Sequence, residues 1–117
     1  MTTELLVSFE VDGLHFWPDA PSEYSEFGQP HRHLFKFICW KKVDVRSPQD
    51  RPIELWELRQ NAITAVVNTF HIAMGSDKCD FQGMSCEGIS DWLRVVMSFD
   101  KVFVGEEFWL GAMVSND

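Results

Sequence analysis

His31 and His33 stand two residues apart in the stretch PHRHLFKFICW, where residue types alternate. On a β-strand that spacing puts both imidazoles on one side, about 6–7 Å apart along the chain. Two rings so placed can converge on one ion, and imidazole is the commonest metal ligand. A third ring, His15, ends another alternating stretch and would complete a three-histidine set on a neighbouring strand. Three protein ligands with a fourth position open is the arrangement of catalytic rather than structural zinc. The competing reading is a set of solvent-facing or core-satisfied histidines. Two features favour the metal. The pair follows a proline-containing loop at the mouth of a strand, where sites tend to lie. A neutral histidine on an apolar face also leaves ring nitrogens unsatisfied unless something meets them.

The elements that must carry these rings can be read from periodicity. In residues 4–17, Leu5, Val7, Phe9 and Val11 alternate with Glu4, Ser8, Glu10 and Asp12, with Leu6 as the exception. Period two means a half-buried strand. Its parity puts His15 and Trp17 on the apolar side unless Gly13 marks a bulge. Residues 18–30 hold three prolines and a glycine among acids and serines, which reads as a loop. A second strand over 31–45 places His31, His33, Phe35, Phe37 and Cys39 on one face. Arg32, Leu34, Lys36, Ile38 and Trp40 then share the other.

After the connection 47–52, Pro52 is placed to open a helix over 53–70 with the stripe Ile63, Val66, Val67 and Phe70. Residues 75–84 break the pattern. Ser85 then reads as an N-cap, with Glu87 near the helix N-terminus. Ile89, Trp92, Leu93, Val96 and Met97 mark that helix's apolar face. Residues 101–114 read as a final strand, with Gly105 as a candidate break. The order strand, strand, helix, helix, strand predicts one α+β domain over 1–117.

Composition limits the function classes. The 117 residues are 45% hydrophobic and 24% charged, as in an ordinary globular domain with one core. Ten Phe and five Trp against one Tyr are more rings than one small core holds, so some should line a pocket or a subunit interface. The formal net charge of −8, with the basic residues scattered, argues against nucleic acid and against an anionic membrane surface as partners. Cys39, Cys79 and Cys86 show no CxxC spacing and read as buried thiols; only Cys86, at a helix N-terminus, has any reason for a lowered thiol pKa. With no signal-peptide pattern and no apolar run long enough to span a bilayer, the cytoplasm is the expected compartment.

The histidine pattern resembles the family of 6-pyruvoyltetrahydropterin and 6-carboxytetrahydropterin synthases, which have the tunnelling fold. In that family a first strand ends near a ligand histidine, and a second strand, after a loop, opens with HGH. Here His15 in GLHFW and the His31-Arg32-His33 triplet stand in those places. The family's D-F-x-x-L element is matched loosely by Glu54-Leu55-Trp56-Glu57-Leu58. Its P-T-A-E-N-I-A-x-W-L helix start resembles Met84 to Leu93, and its V-x-E-T, which binds the pterin edge, falls at Val104-Gly105-Glu106-Glu107. The resemblance spans nearly the whole chain. It implies an antiparallel sheet with two helices on one face, a Zn²⁺ held by His15, His31 and His33, and Glu106 as a clamp for an amino-pyrimidinone edge. An ordinary strand acid facing water is the alternative reading of Glu106. It also implies a homo-oligomer in which sheets join between subunits.

Departures from the family pattern fall on the proton-transfer machinery. Phe27 stands where the family's catalytic Cys is expected, four residues before the first His of the triplet, and Arg32 replaces the middle Gly. The Asp-His pair has no clean counterpart: Asp80 is followed by Phe81, and His71 lies far upstream. Glu23 and Glu26 are candidate replacements, with an ordinary solvated loop as the alternative. The catalytic residue stays unassigned. Two functions are thus expected: a zinc-dependent lyase or synthase acting on a reduced pterin or related purine-like heterocycle, or an inactive relative that binds a heterocyclic ligand or a protein partner.

Overall fold

Two long strands, β1 (Thr2–His15) and β2 (His31–Asp44), form an antiparallel ribbon that all other elements pack on or extend. The computed structural model describes residues 2–116; Met1 and Asp117, the two ends of the expected 1–117 span, lie outside the described residues. After the ribbon come α1 (Leu55–Phe70), β3 (Cys79–Asp80), α2 (Cys86–Met97), β4 (Lys101–Gly105) and β5 (Gly111–Ser115). The strands make one sheet in the order β3-β1-β2-β4-β5. The architecture is α+β, and both helices pack on the sheet face that carries the buried side chains.

Alternation explains why these segments are strands. The odd positions Val7, Phe9 and Val11 of β1 and Phe35, Phe37 and Cys39 of β2 are buried, while the even positions face the open side. Leu6 falls on that open side and is half exposed, as its parity requires. The core is aromatic. Phe9 stacks on Phe37 at 4.7 Å between ring centroids, and Phe81 meets both Phe35 and Phe70 at 4.9 Å. Five of the ten Phe are buried and none of the five Trp is; Phe70 and Trp92 are partly buried against the core, and other rings lie outside it.

Several boundaries differ from the sequence reading. The first helix begins at Leu55 rather than at 53, because the Glu54 carboxylate caps it by accepting from the Glu57 N–H at 2.8 Å. The loop 18–30 contains 3₁₀-type turns over Ser22–Gly28. Within the pattern-free 75–84, β3 adds two residues parallel to β1 at Gly13 and Leu14, so the sheet is not wholly antiparallel. A two-residue strand is too short to show a period. The expected strand 101–114 is a hairpin, β4 and β5, closed by the Glu106 N–H bond to the Leu110 carbonyl at 2.7 Å. Its turn carries Phe108, Trp109 and Leu110 instead of polar turn residues, which is why the hydropathy reads as one run. On α2 the buried stripe passes through Cys86, Ile89, Ser90 and Leu93 rather than Val96, which is exposed. Ser90 tolerates burial because its hydroxyl donates to the Val102 carbonyl.

Gly13 lies in β1 opposite His33, where an added Cβ would sit 2.8 Å from Phe81 Cε2 and 3.1 Å from Phe35 Cδ2. Both rings are fully buried and have nowhere to go. Gly13→Ala is therefore expected to destabilise by about 1–3 kcal/mol through overpacking, read as a lowered denaturation midpoint with an unchanged denaturant slope.

Candidate metal centre

Register delivers the three histidines to one place. His15, the last residue of β1, pairs directly with His31, the first of β2, and His33 follows on the same face opposite Gly13. Their ring centroids are 4.6 Å (His15–His31), 5.3 Å (His15–His33) and 4.9 Å (His31–His33) apart. Phe35 forms the floor, edge-on to His15 at 5.1 Å. The fourth member, Glu106, leaves the end of β4 beside β2. One ligand atom from each of His15, His31, His33 and Glu106 lies within 4.8 Å of all the others.

Each ring is held from behind. His15 Nδ1 lies 3.1 Å from the Met84 carbonyl, His31 Nδ1 3.0 Å from the Gln29 carbonyl, and His33 Nδ1 2.6 Å from a Glu107 carboxylate oxygen. Carbonyl and carboxylate oxygens only accept, so in each ring Nδ1 carries the proton and donates. The Nε2 lone pair of a neutral ring is then free for a ligand. A donor set whose outer N–H groups are all engaged is how metal-binding histidines are oriented.

The interior of the cluster is short of positive charge. His15 Nε2 is buried and has no hydrogen-bond partner, although Glu106 Oε1 lies 3.1 Å away, because the pair lacks hydrogen-bond geometry. With Nδ1 holding the proton, the Nε2 lone pair and a carboxylate oxygen lie 3.1 Å apart with no donor between them, and a cation shared by the two would relieve it. Burial lowers the pKa of His15, against the upward pull of the Met84 carbonyl, so charging the ring is disfavoured. A divalent cation suits this donor set. Glu106 Oε1 also lies 3.5 Å from His33 Nε2.

The cluster lies at one end of a cleft of about 490 Å³. Phe16, Trp17, Phe27 and Met84 make its apolar walls, and Glu87 and Glu106 are its carboxylates. Trp17, which parity placed on the apolar side with His15, is thus a cleft residue and 46% exposed. Glu87, read from the sequence only as a helix-end charge, belongs to the same cleft. Arg32 points to the opposite sheet face, where its guanidinium makes two bonds of 2.7 and 2.6 Å to Asp12. Its presence in place of glycine does not intrude on the rings.

Glu23 and Glu26 are exposed and do not line the cleft. His71 bonds the Val67 carbonyl at 2.9 Å at the end of α1 and lies outside the histidine cluster. No thiol lines the cleft. Burial pushes Cys39 up to about 12; burial and then the Asp77 charge push Cys79 up to about 11. Cys86 rises to about 12 through burial and then the Glu106 and Glu87 charges, which override its helix N-terminus. Glu107, absent from the sequence reading as a site residue, carries a lowered pKa. Burial would raise it, but bonds from the Leu34 N–H, its own backbone N–H and His33 prevail.

No family model matches the chain, and no curated protein matches it by sequence. By structure it is similar to 6-pyruvoyl tetrahydropterin synthase of Caenorhabditis elegans, with a TM-score of 0.69 at 13% identity. That likeness covers 100% of this chain and 97% of the other. At such identity it establishes the architecture, and the chain has the tunnelling fold.

Proposed function

We propose that this chain binds Zn²⁺ through His15, His31 and His33 and takes a reduced pterin or related purine-like heterocycle into the adjoining cleft. The observation that carries the reading is the set of three imidazoles tied by Nδ1 to acceptors, with the buried Nε2 of His15 facing a carboxylate and no donor. The similarity to a pterin synthase supports the choice of heterocycle. Zinc bound there would supply Lewis-acid polarisation of a substrate oxygen. The chain's own residues would do the rest. Phe16, Trp17 and Phe27 offer faces for a planar ring, and Glu106 and Glu87 offer carboxylates to an N–H-rich edge.

A second reading, binding without turnover, is favoured by one specific observation. Phe27 stands in the cleft where the family's thiol is expected, and the three thiols of the chain are buried and held protonated. A lyase reading must find its proton carrier among Glu87, Glu106 and the histidines. In either case we propose a closed homo-oligomer. Among the described residues, β5 ends the sheet on one side, and β1 pairs outward only at Gly13 and Leu14 on the other. Open edges of this kind are normally paired or blocked.

Purified protein should carry close to one Zn²⁺ per chain, and His33→Ala should release most of it while leaving the fold intact. Stoichiometric absence of metal in protein prepared without chelator would overturn this reading. Light scattering should show a closed oligomer, and a monomer at micromolar concentration would count against the assembly.

A pterin should bind in the cleft, and Glu106→Ala should weaken that binding by about 1.5–3 kcal/mol, the range for a hydrogen bond to a charged group. Consumption of the pterin, abolished by His31→Ala, would establish the lyase reading. Binding without consumption would establish the other.

The metal-free protein offers a pH test. Unfolded, His15 takes up a proton near the ordinary value of 6.5; folded, it does so only at lower pH. Unfolding therefore binds a proton between those two values, and stability rises with pH across that window. The thermal midpoint should fall as pH drops below about 6.5, and His15→Gln should flatten that part of the profile.

A further inference from the structure

The β2 strand is longer than the β4 strand that pairs with it. Its residues 31–44 meet β4 only between Lys36, opposite Gly105, and Trp40, opposite Lys101. The Leu34 and Lys42 amides lie beyond the two ends of this ladder. Side chains take its place. At one end the Asp100 carboxylate accepts from the Lys42 N–H at 2.7 Å. At the other, Glu107 Oε1 accepts from the Leu34 N–H at 2.6 Å.

The two substitutes differ in one respect. The second oxygen of Glu107 also accepts from His33 Nδ1, at 2.6 Å. One carboxylate thus holds the backbone of Leu34 and the ring of the residue before it. The chain accepts backbone cost next to this contact: Phe108 and Trp109, the two residues after Glu107, have φ of 67° and 63°. Large side chains rarely adopt that left-handed region. The other two rings of the cluster are tied to backbone carbonyls, which the fold fixes; only His33 depends on a side chain for its orientation.

We propose that Glu107 is the positioning residue of the histidine cluster, holding His33 in the Nδ1–H tautomer with Nε2 free for the ion. The role in metal affinity rests on the zinc reading above; the role in fixing the ring does not. A carboxylate behind a ligand histidine also raises its basicity, and loss of such a partner typically weakens metal binding about 10–100-fold. Glu107→Gln is the informative change. The amide keeps the size and one acceptor oxygen, so it can serve Leu34 or His33 but not both, and its NH₂ group offers a donor where His33 needs an acceptor.

The test compares Glu107→Gln with Asp100→Asn, which alters the equivalent contact at the other end of β4 without touching an imidazole. Zn²⁺ affinity is measured by chelator competition, and the His33 tautomer by ¹⁵N NMR of the metal-free proteins. Expected is a roughly 10–100-fold loss of Zn²⁺ affinity in Glu107→Gln and none in Asp100→Asn, with His33 moving from one tautomer to a mixture in Glu107→Gln alone. Unchanged affinity and tautomer in Glu107→Gln would overturn the proposal, as would equal affinity losses in both variants tracking their stabilities. If the wild-type chain binds no zinc, the zinc reading fails, yet the tautomer arm still decides whether Glu107 sets the ring.

Discussion

The fourteen-residue register between β1 and β2 is the constraint on which the site depends. It sets His15 opposite His31 and Gly13 opposite His33, so that two histidines from one strand and one from the other share a face. A slip of one residue would turn every side chain of one strand to the other face. Both faces resist it. On the helix side the Phe9–Phe37 stack pairs residues directly opposite each other. On the open side Glu10 meets Lys36, also directly opposite, at 2.8 Å, and Arg32 reaches Asp12. Packing that serves the core therefore also fixes where three imidazoles meet.

Orientation comes from elsewhere in the chain. Met84 lies in the turn before α2, Gln29 in the loop before β2, and Glu107 in the β4–β5 turn. Three connections, rather than the sheet, decide which nitrogen of each ring faces the cluster. Around it stand Glu87, Glu106 and Glu107, with no lysine or arginine lining the cleft. In a chain of net charge −8 this local field favours cations and N–H-rich edges over phosphates.

Much of this was legible in the sequence because period two is a strong signal over long strands. Parity alone placed His15, His31 and His33 on one face, and the resemblance alone drew attention to Glu106. The rest lacked a local signature. β3 is defined by pairing to a distant strand and is only two residues long. The β4–β5 turn is apolar, so hydropathy hid the reversal. Glu107 read as the neighbour of a motif residue because its contacts are with Leu34 and His33, more than seventy positions away. Glu87 had an adequate local explanation as a helix-end charge, which masked its place in the cleft.

The aromatic surplus and the missing thiol belong together. With Phe9, Phe35, Phe37, Phe81 and Phe99 filling the core and Phe70 and Trp92 packed against it, Phe16, Trp17 and Phe27 are left to the cleft, and Phe108 and Trp109 to the hairpin tip. Trp17, Tyr24 and Phe27 follow one another at 5.8 and 6.2 Å, and Phe27 meets His31 at 5.7 Å. A ring at position 27 cannot act as a nucleophile or carry a proton, but it extends this stack to the edge of the histidine cluster. The three thiols, meanwhile, pack among apolar side chains and serve the core. The cleft therefore offers imidazole and carboxylate at the histidine cluster and flat apolar faces along its walls. The wall rings Phe16, Trp17 and Phe27 can thus be substituted apart from the cluster, whereas Glu106 belongs both to the cluster and to the cleft.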